Sequence, residues 1–228
     1  MLKGYGGLIL DGTLTTISLA LLSVVIAIVI GLAVAGIKLF GPAFGRVLAD
    51  VYTTFIRGVP DLVLMLLIFF GLQSLLNQVT AFFNIEIITI DPFVAGVATL
   101  GFIYGAYFAE TFRGAFMMVP KGQLESGLAF GLSPGQVFRL ILFPQMMRHA
   151  LPGIGNNWQI TLKATALVSI IGLSDLVRAA QVAGKATYDF FTFSLLAAAI
   201  YLVLTTLSNI LLSYLERRYT AGVRQTAL

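Results

Sequence analysis

The side chains that carry most enzyme chemistry are scarce in this chain of 228 residues. It has no cysteine and one histidine, His149, which excludes a thiolate nucleophile, a disulfide and a His-rich metal site. A membrane-embedded hydrolase would need a paired nucleophile and base or metal ligands, and the lack of cysteine and the single histidine argue against it. A phosphate-binding loop needs G-x-x-x-x-G-K-[ST] between a strand and a helix. The nearest echo, Gly184-Lys185-Ala186-Thr187, lacks the first glycine and the hydroxyl directly after the lysine. The sequence offers no site for hydrolysing ATP.

Two constellations remain. The first is a run of polar side chains inside an otherwise apolar stretch: Asn156, Asn157, Gln159, Lys163 and Thr165. Polar groups at membrane depth face a cavity or a partner. Lys163 could instead snorkel to the interface or pair with a neighbour. Arg57 and Asp61, four apart, could gate a path or form an interfacial ion pair. Glu110 and Arg113, three apart, are spaced to pair on one helix.

The second constellation is the segment 119–150. Pro120 suits the start of a short helix, and Gly131 supplies the left-handed residue that ends it. Ser133, Pro134 and Gln136 then form a capping-box sequence. The second helix is expected to continue through Val137, Phe138, Leu140 and Ile141 until Pro144 breaks it. The result is a helix-turn-helix with exposed apolar surface. Such a surface is a partner site or an amphipathic hairpin lying on lipid headgroups.

The elements that hold these residues are membrane spans. The chain is 58% hydrophobic and only 11% charged, against about 25% charged in a soluble domain. A spanning helix needs roughly 20 apolar residues. The expected spans are 13–37, 62–82, 92–110, 152–173 and 190–215, all in one domain. The span at 152–173 is polar at its start, and charge decides it. Lys38, Arg46, Arg57, Arg113, Lys121, Arg139 and Arg148 fall on one side of the first three spans. Only a further span before 190–215 puts Arg217, Arg218 and Arg224 on that same side. The positive-inside rule makes that side cytoplasmic and the N-terminus, with Lys3, external. Arg178 and Lys185 are then external too. Small residues at four-residue spacing, Ala27, Gly31 and Ala35 in the first span and Gly101, Gly105 and Ala109 in the third, mark faces where helices approach closely. The fold class is all-α: a polytopic membrane protein with about five spans and a cytoplasmic helix-turn-helix.

At this point the sequence resembles a family. Permeases of ATP-binding-cassette importers carry a loop of the form E-A-A, three residues, G, nine residues, I, one residue, L-P. This chain has Glu125-Ser126-Gly127, Gly131, Ile141 and Phe143-Pro144 at the same spacing, departing in residue type at Ser126, Gly127 and Phe143. Arg57-Gly58-Val59-Pro60, Phe112-Arg113-Gly114-Ala115 and Leu151-Pro152-Gly153-Ile154-Gly155-Asn156 resemble motifs of the polar amino-acid permeases. Asp61 after the R-G-V-P run is most like the Q-type permease subunit of the histidine/lysine/arginine/ornithine importers and their arginine/ornithine and opine relatives.

The resemblance implies a type I importer permease in a bacterial inner membrane. It implies a translocation path shared with a second permease, two separate ATP-binding subunits that use ATP and Mg, and a periplasmic amino-acid-binding protein. No cofactor is expected on this chain, and no nucleic acid. Glu125, Ser126, Gly127, Gly131, Ser133, Ile141 and Pro144 would couple the chain to the ATPases. Asn156, Asn157, Gln159 and Thr165 would line the substrate path. Some permeases carry a glutamate directly after an asparagine, where this chain has Asn157. A cationic substrate favours a carboxylate, so a different partner permease would supply it, making a heterodimer. Other readings are a secondary transporter or channel subunit and a non-transporting membrane scaffold. A secondary carrier would show internal repeats or ionisable side chains within its spans. The long spans here carry almost no charge.

Overall fold

The computed structural model describes residues 4–86 and 89–220. Lys3 and Arg224, used in the charge argument, lie outside the described residues. Among the described residues all regular structure is helical: α1 (Gly6–Phe40), α2 (Ala43–Gly58), α3 (Asp61–Phe82), α4 (Pro92–Met117), α5 (Lys121–Ala129), α6 (Pro134–Val137), α7 (Phe143–Ala164), α8 (Leu176–Thr187) and α9 (Phe190–Thr220). A π-helical turn, Phe138–Leu142, joins α6 to α7, and a 3-10 segment, Thr165–Ile171, follows α7.

The core is the α1–α4 contact, the most extensive in the chain. The two small-residue faces read from the sequence meet each other there. A Cβ on Gly31 would lie 2.6 Å from Phe108 Cβ, and one on Gly101 would lie 2.6 Å from Ile26 Cγ2. Ala27, Ala35 and Ala109 are fully buried in the same seam. Lipid tails are as apolar as the side chains, so close backbone packing takes over the role that the hydrophobic effect plays in water.

Four helices, α1, α3, α4 and α9, are long and apolar enough to cross a membrane by themselves. The segment expected to span at 152–173 lies in a bent helical pair, the geometry of a broken span or a re-entrant loop. The helical run Pro134–Ile171 is bent by 53° against α8, with Gly172 in the left-handed region at φ +99° at the break. The spans α3 and α9 bury little within the chain.

One expectation is corrected. Pro144 does not break the second helix of the loop; the helix runs on through it into α7. Proline at this point removes one N–H and crowds the carbonyl four residues earlier. The π turn widens the helix there, and the Phe143 N–H reaches back five residues to the Phe138 carbonyl. The segment between the first two spans is a further helix, α2, to which the sequence analysis assigned no structure. It buries Ala49, Thr53 and Ile56 and exposes Phe44, Val47, Leu48, Val51 and Phe55. Its apolar stripe therefore faces outward, as on a helix at a lipid interface. Val59, extended at ψ 140° before Pro60, ends α2 and starts α3 in a new direction.

Candidate functional site

The loop is built by two local capping devices. At the end of α5 the Leu132 N–H reaches the Gly127 carbonyl at 3.1 Å and the Gly131 N–H reaches the Leu128 carbonyl at 3.0 Å. This is a Schellman turn, and Gly131 takes the left-handed position at φ +84°. The capping box then starts α6: the Gln136 N–H donates to Ser133 Oγ at 3.4 Å, and the Ser133 N–H donates to Gln136 Oε1 at 2.8 Å. Gly127 is buried, and a Cβ there would lie 2.5 Å from Ile141 Cδ1, so the two arms touch. Ser126 Oγ bonds to the Gly122 carbonyl at 2.7 Å. Glu125 and Pro144 are exposed. So are Phe130, at 89%, and Leu140, at 60%. The loop thus presents an apolar ridge with a carboxylate beside it.

The polar span divides into two faces. Asn156 and Lys163 point out of the chain, with Gln159 partly exposed between them. Gln159 Nε2 donates to Asn209 Oδ1 on α9, where Thr206 and Ser213 extend the polar stripe along a shallow cleft. Lys163 borders a second cleft of about 330 Å³ with Gln181, Ser194 and Tyr201. Asn157 and Thr165 lie on the other face, buried. Asn157 Nδ2 donates to Thr111 Oγ1 on α4 at 3.0 Å. Thr165 Oγ1 donates to the Leu162 carbonyl at 2.7 Å and lies 3.2 Å from the Tyr201 hydroxyl.

Arg57 and Asp61 do not pair with each other. The Tyr104 hydroxyl donates to Asp61 Oδ2 at 2.8 Å, while the Arg57 guanidinium sits 5.7 Å from the Tyr107 ring centroid. Glu110 and Arg113 do pair: Arg113 Nε and Nη2 donate to Glu110 Oε2 at 3.0 and 2.8 Å. The same carboxylate binds a residue that entered the sequence analysis only as one of the cytoplasmic positive charges. Lys38 Nζ lies 2.6 Å from Glu110 Oε1 and 2.8 Å from Asp50 Oδ1, with its side chain only 6% exposed. These residues, with Thr53, Arg57 and Tyr107, border a cleft of about 520 Å³. The only hint in the sequence was a lysine closing a charge-free span just before a helix carrying Asp50 and Thr53 at i, i+3.

Residues 10–221 match the family model described as binding-protein-dependent transport system inner membrane component. Over 228 residues, all of both chains, the sequence is 60% identical to the histidine/lysine/arginine/ornithine transport system permease protein HisQ of Escherichia coli. It is 37% identical over 223 residues to the octopine transport system permease protein OccQ of Rhizobium meliloti, covering 97% of this chain and 94% of that one. A crystal structure of an amino acid ABC transporter with histidines superposes with a TM-score of 0.79 at 34% identity, covering 94% of this chain and 95% of that chain. The chain belongs to the family of inner membrane components of binding-protein-dependent transport systems.

Proposed function

We propose that this chain is the permease subunit of an ATP-driven importer of basic amino acids of the histidine/lysine/arginine/ornithine type. The observation that carries the substrate class is the full-length 60% identity to a permease named for those four amino acids. The chain forms the path with a second permease. ATP and Mg are bound by two separate ATPase subunits, and a binding protein delivers the amino acid from outside. The loop with Glu125, Gly131 and Ser133 seats on the ATPase, its apolar ridge around Phe130 and Leu140 supplying the contact. The N-terminus is external and the C-terminus cytoplasmic, an orientation supported by Lys38, Arg57 and Arg113 gathering around one cleft at the end of α4 that leads into the loop.

Within the membrane, the outward stripe of Asn156, Gln159 and Lys163, joined by Asn209, lines the path. Asn157 and Thr165 brace that stripe from behind. The stripe carries an ammonium and no carboxylate, so a cationic substrate needs an acid from the partner. The second permease is therefore a different chain. Competition separates substrate classes. Uptake of labelled arginine by the reconstituted complex should be blocked by lysine, histidine and ornithine. Blockage by octopine alone would move the assignment to opines.

A further inference from the structure

We propose that Lys38 is a positioning residue for transport, the joint that ties both arms of the loop to α1 and α2. This rests on the importer reading above.

One turn of α4 carries the argument. Glu110, on one face, takes Lys38 Nζ at 2.6 Å. Thr111, the next residue, meets α7 through its bond from Asn157 Nδ2. A Cβ on Gly153 would lie 2.5 Å from Thr111 Cγ2, so α7 has no slack against this turn. Below the turn α4 ends at Met117, and α5 begins three residues beyond Met118. The other arm of the loop, α6, is continuous with α7 through the π turn. Both arms of the loop thus converge on residues 110–113, and a displacement of either one moves Glu110.

Lys38 carries that displacement onward. Its ammonium bonds Glu110 on α4, Asp50 on α2 and Thr53 Oγ1 on α2. The end of α2 leads through Gly58–Pro60 into α3, which is where Arg57 and Asp61 stand. In the ion-paired group itself two cations, Lys38 and Arg113, meet two carboxylates, Asp50 and Glu110. Apolar side chains would hold three helices together as well as buried ions do. What ions add is discrete, directional geometry with distinct paired arrangements. The Asp50 side chain is 67% exposed beside the 520 Å³ cleft, so its end of the pair has room to move while Lys38 stays enclosed.

The test uses the complete complex in proteoliposomes, comparing ATPase activity with and without liganded binding protein. Lys38→Met is expected to assemble and keep basal ATPase, while the stimulated increment falls about tenfold and uptake falls with it. Lys38→Arg restores most of the increment, because a guanidinium reaches the same carboxylates. A merely structural role would lower yield without changing the ratio of stimulated to basal activity in the assembled complex. If Lys38→Met does not assemble, Asp50→Ala combined with Thr53→Val keeps the Glu110 pair and removes both links to α2; a reduced ratio supports the proposal. A wild-type ratio in the assembled variant overturns it. A wild-type complex that shows no stimulation at all overturns the importer reading on which the proposal rests, and is recognised as such before any variant is made.

Discussion

Two glycines five residues apart on α1 should respond oppositely to the same substitution. Gly31 lies in the α1–α4 seam, where an added Cβ would fall 2.6 Å from Phe108 Cβ and 3.0 Å from the Ala109 backbone nitrogen. Carbon contacts are comfortable at about 3.5–4.0 Å, so the helices must part by roughly 1 Å. The obstruction is largely backbone and cannot rotate away. Overpacking of this kind costs about 1–3 kcal/mol, and no hydrophobic gain in lipid offsets it. Gly36 has nothing within 4 Å of the same built atom, so alanine there gains helix propensity, up to about 1 kcal/mol. Reversible unfolding of the purified protein in mixed micelles, titrated with SDS, measures both. Gly31→Ala should be destabilised and Gly36→Ala unchanged or stabilised, a separation of about 1–4 kcal/mol. Equal shifts in the two variants would refute the account of the seam.

Other consequences follow from the loop and the polar span. Gly131→Ala puts a side chain at φ +84°, a strain of about 1–2 kcal/mol. It should reduce binding-protein-stimulated ATPase in the assembled complex while leaving the spans folded, as read by circular dichroism. Asn157→Ala removes a buried hydrogen bond to Thr111, so thermal unfolding should show a loss of about 1–3 kcal/mol along with reduced uptake. Asn156→Ala, on the exposed face, should leave the unfolding curve in place and lower uptake through the path alone.

Much of this architecture is legible in the sequence because lipid imposes strong, local rules. Charge-free runs locate α1, α3, α4 and α9, although α1 begins at Gly6, ahead of Asp11, because an exposed aspartate near a span end is tolerated. The Schellman turn at Gly131 and the capping box at Ser133 are local chemistry, written within a few residues. What local rules cannot supply is register between distant segments. Lys38 and Glu110 are 72 residues apart, and nothing in either neighbourhood points to the other. The same holds for Asn156 and Asn157: adjacent polar residues on a helix face about 100° apart, and only packing against Thr111 shows which one turns inward. Pro144 misleads for a related reason. Its helix-breaking tendency is real, but the π turn before it absorbs the lost bond. The outward apolar stripe of α2 has helical period but lacks the length of a span, so a search for spans passes over it.

We infer that this permease moves substrate only when a separate ATPase drives it. The most direct measurement is uptake of labelled histidine into proteoliposomes containing the chain, its partner permease, the ATPase subunits and the binding protein. Uptake should require ATP on the ATPase side and stop when the ATPase subunits are omitted. Uptake that persists without ATP, driven by an ion gradient alone, would contradict the account.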